Sequence, residues 1–293
     1  MGEKDIISKT LEAFDDVFAD IVNGLLFKGE QVVQEQSLVD AQPVSMYKAD
    51  GKVHEQERDV SKYLVDQSGE QINIGVALLG IENQSTYDED MPLRVIGYDG
   101  AAYRAELGQK TRYPVVTLVL YFGEKPWGKN RTLYDAVRVP DMYRPFVNDY
   151  RINLFEISHL PREAIEYFHS DFKVVVDYFV NRRDNPEYRP KNPQKFKHVD
   201  ELLKMLAVFS HDNRFSDLLV QEGGRPTDMC EVLDRVENKG KEEGIIEGRI
   251  EGRVEGRLEG IRTLMKHFDL TAQQAMEMME IPEEERPKYE ARL

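Results

Sequence analysis

Little in this 293-residue chain is built for covalent cross-links, metal-thiolate chemistry or lipid. There is one cysteine, Cys230, so no disulfide can form within the chain, and a reducing compartment, the cytoplasm, is expected. Six histidines show no metal-type spacing, which argues against a zinc site. No apolar run approaches the roughly 20 residues that cross a bilayer, so no membrane partner is expected. The opening "MGEKDIISKTLEAF" lacks the apolar core of a signal peptide. A net positive charge is also lacking: acids outnumber bases 54 to 39, and the net charge of −15 counts against a broad nucleic-acid-binding surface, though not against a local groove.

What is present is a globular composition, 41% hydrophobic, with mixed periodicities. "LEAFDDVFADIVNGLLF" (11–27) carries its large apolar residues on one helical stripe. "DVSKYLV" (59–65) alternates polar and apolar, and "QINIGVALLGIENQ" (71–84) is an apolar strand. "SGE" between them supplies turn chemistry for an antiparallel hairpin. A helix is expected after Pro92, strands over 113–123 and 152–160, then two amphipathic helices, "REAIEYFHSDFKVVVDYFVNRR" and "KHVDELLKMLAVFSHDNRFSDLL". This order predicts an α/β domain over residues 1–236 and a helical tail over 237–293, with a polar linker near 237–244.

Side chains alternate along a strand, so Gly80, Glu82 and Gln84 share a face. A turn near Gly69 to Gln71 brings Asp59 opposite Gly80 to Glu82. Two acids at the open end of a hairpin can share a hard divalent cation such as Mg²⁺ or Mn²⁺, which polarises a phosphodiester and lowers the pKa of a water. Gln84 is placed to orient that water.

Longer stretches point the same way. "DDVFADIVNGLLFKGE", "RDVSKY", "GIENQSTYDEDMPLRVIGYDGAAY", "RYPVVTLVLYFG", "NDYRINLFEI" and "SDFKVVVDYFV" together resemble the recombination-promoting nuclease/putative transposase family of the PD-(D/E)XK nuclease superfamily. The resemblance implies a restriction-endonuclease-like mixed sheet flanked by helices. It also implies a metal-dependent DNA endonuclease linked to recombination or transposition. On that pattern Asp59 matches the motif's Asp and Glu82 its (D/E), both as metal ligands. Gln84 stands in place of the Lys, and Arg58 in place of the Pro. The superfamily often adds an acid from the first helix, and helical phase favours Asp15 or Asp20, with Asp16 facing away. The alternative is a non-catalytic DNA-binding or assembly protein that retains the nuclease fold, which the missing Lys and the acidic surface favour.

Candidate DNA contacts are Arg94, near Tyr98 and Tyr103 on the helix after the site, and Lys125, Lys129 and Arg131 around Trp127. Trp127 either stacks on a base or anchors its loop. Arg182 and Arg183 open "RRDNPEYRPKNPQKFK" (182–197), net +4, which is either a solvated connector or a phosphate-contacting strip.

In the tail, "EGIIEGRIEGRVEGRLEG" (243–260) repeats Glu-Gly every four residues. As a helix it bears a glycine stripe beside Ile246, Ile250, Val254 and Leu258. Each interior glycine costs about 1 kcal/mol relative to alanine, so a lone helix is poor. A partner helix approaching over the glycines relieves this, and self-association through 243–268 is expected. A solvated tether and a strand are the other readings. Thr271 is expected to cap the next helix and Pro282 to open the last one.

Overall fold

The computed structural model describes residues 11–41, 44–49, 52–57, 59–66, 74–108, 112–186, 188, 190, 194–212, 215–216 and 226–293. It divides into two compact units, Met1–Leu233 and Asp234–Leu293.

The first unit is built on a five-stranded mixed sheet in the order β1-β4-β5-β6-β7. Its strands are β1 (Leu38–Asp40), β4 (Val60–Asp66), β5 (Ile74–Gln84), β6 (Val115–Tyr121) and β7 (Asn153–Glu156). A separate hairpin is formed by β2 (Val44–Ala49) and β3 (Lys52–Glu57). β4 and β5 pair antiparallel with Val60 opposite Ile81, and a register shift falls between Leu64 and Val65. The expected turn at "SGE", like Arg58, lies outside the described residues. β5 then runs parallel to β6, and β6 to β7, so each connection must cross over the sheet.

The first crossover is helix α2 (Met91–Ala105); α1 (Asp15–Phe27) precedes the sheet. Met91 and Val95 of α2 pack with Val119, Tyr121, Trp127 and Ile152 on the sheet face that carries Glu82. The opposite face is covered by α1, α3 (Phe172–Arg182) and α4 (Val199–Ser210). There Phe122 stacks on Phe209 and meets Phe179 edge-on. With helices on both faces, β6 is buried over its last five positions, which explains its near-continuous apolar sequence; its Thr117 hydroxyl donates to Asp99. The α/β class expected from the sequence, a mixed sheet flanked by helices, is the class observed.

Three elements are shorter than their sequences suggest. The strand expected over 152–160 ends at Glu156 and passes into a 3₁₀ turn, Ile157–His159. The helix expected from Arg162 breaks into a 3₁₀ turn, Arg162–Tyr167, and α3. At the break, the backbone N–H groups of His169 and Ser170 donate to the Asp20 carboxylate at 2.8–2.9 Å. The helix expected over 11–27 also breaks, at Phe14, whose backbone is extended (φ −71°, ψ 133°).

Helix α5 (Met229–Phe268), which from Asp234 onward belongs to the second unit, runs through the Glu-Gly repeat, so the repeat is a helix and not a strand. It also runs through 237–244, where the composition suggests a linker. α6 (Ala272–Met278) is capped by Thr271 in a reciprocal box with Gln274, as its sequence indicates. A 3₁₀ turn after Pro282 leads into α7 (Arg286–Glu290). Val254, Leu258 and Ile261 pack against Ala275, Met276, Ile281 and Tyr289.

Candidate active site at the mouth of the hairpin

The antiparallel register of β4 and β5 positions the two acids. Continuing one step past the Val60–Ile81 pair sets Asp59 opposite Glu82. Asp59 Oδ2 accepts the backbone N–H of Asn83 at 2.7 Å, which holds this carboxylate against β5 beside Glu82. Glu82 is 1% exposed, and its Oε2 lies 3.4 Å from Nη2 of Arg94. Gln84, half-buried, follows on the same face of β5 and pairs with Tyr121 of β6.

Arg94 belongs to the site. Its Nη1 donates to Asp88 Oδ2 at 2.9 Å and its Nη2 to the Tyr98 hydroxyl at 3.2 Å. Burial disfavours the charge, but Tyr98, Asp88 and Glu82 outweigh it and the guanidinium is held protonated above its ordinary range. Tyr98 is itself raised, first by burial and then by the negative charges of Glu82 and Asp59. Both carboxylates therefore act on this hydroxyl.

A third acid lies close by. Glu12 is 0% exposed, and its Oε2 accepts Asn83 Nδ2 at 2.6 Å. Burial, with a contribution from the charge of Asp59, raises its pKa from 4.5 to about 8. Sequence reasoning missed Glu12, because the helix break at Phe14 separates it from the phase of α1. The acids that phase favoured have other partners. Asp15 pairs with the buried Lys62 at 2.8 Å, and Asp20 accepts the amides of His169 and Ser170. Asp16, expected to face away, binds Lys197 at 3.1 Å and His198 at 3.0 Å.

The remaining cations are dispersed. Lys125 and Lys129 are exposed, whereas Arg131 pairs with Glu156 at 2.5 Å. Trp127 is 2% exposed and meets Tyr121 and Tyr87 edge-on, so it anchors its loop. Tyr103 accepts the N–H of Val115 and ties α2 to β6. Arg182 faces Asp212 at 3.4 Å, and Arg183 faces Asp184 at 3.1 Å. Lys195 and Lys197 face Asp228 and Asp16, each at 3.1 Å, so three cations of the 182–197 segment, with Arg182, are paired to acids outside it.

The donors fit Mg²⁺ in kind. Carboxylate and amide oxygens are hard ligands, and Glu12 Oε1 and Asn83 Oδ1 are buried with no hydrogen-bond donor among the described residues. In number the site is sparse, since among the described residues no group of three or more His, Cys, Asp or Glu could hold a metal ion. Mg²⁺ tolerates this, for it keeps several waters and needs only one or two carboxylates plus substrate phosphate.

Fold and site together define an α/β protein with acids gathered where an antiparallel hairpin meets a parallel crossover. Residues 52–186 match the model of a family described as "Putative transposase, YhgA-like", so this stretch is similar to that family. The match begins at β3, ends past α3, and includes Asp59, Glu82, Gln84 and Arg94. No curated protein and no solved structure matches the chain. Among the described residues no helix is long and apolar enough to cross a membrane.

Proposed function

We propose that the protein is a divalent-metal-dependent DNA endonuclease that hydrolyses phosphodiester bonds, consistent with a transposase-like family. The observation that carries this reading is the convergence of Asp59 and Glu82, 23 residues apart in sequence, at one end of the β4–β5 hairpin. Their carboxylates would hold Mg²⁺ or Mn²⁺. When bound, the ion supplies Lewis-acid polarisation of the phosphate and acidifies a water.

The chain's own groups set the rest. The Gln84 amide orients the attacking water by hydrogen bonding and brings no charge. Asn83 fixes Asp59 through its backbone N–H and Glu12 through its side chain. In the reaction a water oxygen bonds to phosphorus and one ester P–O bond breaks. The water releases a proton to solvent, and the departing oxygen takes one up.

DNA reaches the site past the exposed Lys125 and Lys129, and two protomers join through the open part of α5 so that two strands can be cut. Ile246 and Ile250 are 57% and 55% exposed there, and a methyl added at Gly244, Gly248, Gly252 or Gly256 would meet no neighbouring atom within 4 Å. Val254 and Leu258 are buried within their own unit, so the joining face is the N-terminal half of the 243–268 segment.

The second reading is a non-catalytic DNA-binding or assembly protein retaining this fold. Arg94 favours it, because a cation already sits against Glu82. Supercoiled plasmid incubated with Mg²⁺ or Mn²⁺ separates the two. Nicking by the intact protein and not by Glu82→Ala supports the enzyme, and identical time courses support the binding protein.

A further inference from the structure

Gln84 leaves the site without the positive charge that a Lys at that position brings to a developing phosphorane. Three residues of this chain set a cation beside Glu82 in another way. Arg94 lies in the first turn of α2, and its neighbours Met91 and Val95 are buried against the sheet, which fixes the backbone from which it projects. Asp88 and Tyr98 grip the guanidinium at 2.9 and 3.2 Å, and the Asp88 carboxylate is itself set by the N–H of Asp90. The Arg94 side chain remains 39% exposed, so it is in part accessible from solvent. Among the described residues Lys62 is a second cation near this end of the sheet, and it cannot serve. It is 2% exposed in its side chain, lies on the opposite face of β4, and is bound by Asp15 and Asp40.

We propose that Arg94 is a catalytic residue that donates to the oxygens of the scissile phosphate and supplies the charge Gln84 lacks, with Asp88 and Tyr98 as its positioning residues. The inference rests on the Asp59–Glu82 reading. A guanidinium presents two parallel donors to phosphate oxygens and stays charged at every working pH. Its contact with Glu82 has a second consequence: Arg94 competes with a metal ion for that carboxylate. Loss of its charge should therefore slow cleavage and tighten metal binding together. A merely structural role would weaken both.

The test compares intact protein with Arg94→Gln, Arg94→Lys and the double variant Arg94→Gln/Gln84→Lys. Plasmid nicking gives kcat and KM, Mn²⁺ titration calorimetry gives metal affinity, and thermal melts confirm folding. Arg94→Gln should lose about 10²-fold in kcat, the range for removing one transition-state donor, while binding Mn²⁺ severalfold more tightly. Arg94→Lys should keep most of the rate, and Gln84→Lys should restore at least tenfold to Arg94→Gln. If the intact protein nicks and Arg94→Gln nicks equally fast, or loses metal affinity along with rate, the proposal is overturned while the endonuclease reading stands. If neither the intact protein nor any variant nicks, the endonuclease reading fails and this proposal with it. Should Arg94→Gln not fold, the Lys variant decides: an unchanged Mn²⁺ affinity with retained rate supports the proposal, and loss of both overturns it.

Discussion

A buried carboxylate is costly unless charge or hydrogen bonds meet it, and the three acids at the hairpin mouth meet this demand differently. Glu82 has Arg94, Asp59 has the N–H of Asn83, and Glu12 responds by holding its proton to about pH 8. The last response has a sign. Glu12 is protonated in the folded chain between pH 4.5 and about 8 but ionised in the unfolded chain, so the folded state binds the extra proton. Its contribution to stability is complete below the unfolded value and is lost as pH rises toward 8. Urea unfolding in EDTA should therefore show stability falling by a few kcal/mol between pH 5 and pH 8, and Glu12→Gln should flatten that slope. An unchanged slope would show that Glu12 is ionised in the native protein. The pairing of Asp59 with Glu82 was legible in the sequence because period-two alternation and a fixed register carry along a hairpin. Glu12 was not legible: one extended residue, Phe14, resets the helical phase, and no periodicity announces such a break.

Elements hold these residues in place. α1 approaches the segment before α3 closely, and a methyl added at Gly24 would lie 2.4 Å from the Phe168 ring, which is fully buried. Gly24→Ala should therefore cost about 1–3 kcal/mol by overpacking, measured by chemical denaturation. One turn earlier on α1, Asp20 accepts two backbone amides and the Ser170 hydroxyl. Asp20→Ala strands those donors and should destabilise by about 2–4 kcal/mol while leaving the hairpin acids in place. If stability is unaffected but metal affinity falls, Asp20 acts as the accessory acid that helical phase favoured. The strong strands and amphipathic helices were readable from their apolar periods. Where they break was not, since side chains distant in the chain meet the backbone there: Asp20, 149 residues away, accepts the N–H of His169 between the 3₁₀ turn and α3.

At the scale of the whole molecule, the acidic surface and the two-unit division set what the chain can bind. The Glu-Gly helix has a buried end and an open end. Val254 to Ile261 are used within their own unit, and Arg257 pairs with Glu285 and Tyr289, while Ile246 and Ile250 stay exposed, the face through which pairing is proposed. Ile246→Asp with Ile250→Asp should convert the expected dimer to monomer in light scattering after size exclusion, with little change in helix content. A monomeric parent protein would remove the pairing. The period-four repeat made the glycine stripe visible in sequence; that half of its apolar stripe is covered from within came only from the folded tail.

The most direct measurement is conversion of supercoiled plasmid to open circle by purified protein, with Mg²⁺ or EDTA, beside Asp59→Asn and Glu82→Ala. Nicking that needs the cation and drops by at least about 10²-fold in either variant is the expected result, in the range for removing one group that stabilises charge in the transition state. Nicking that survives EDTA, or that both variants perform at the parent rate, would contradict the account.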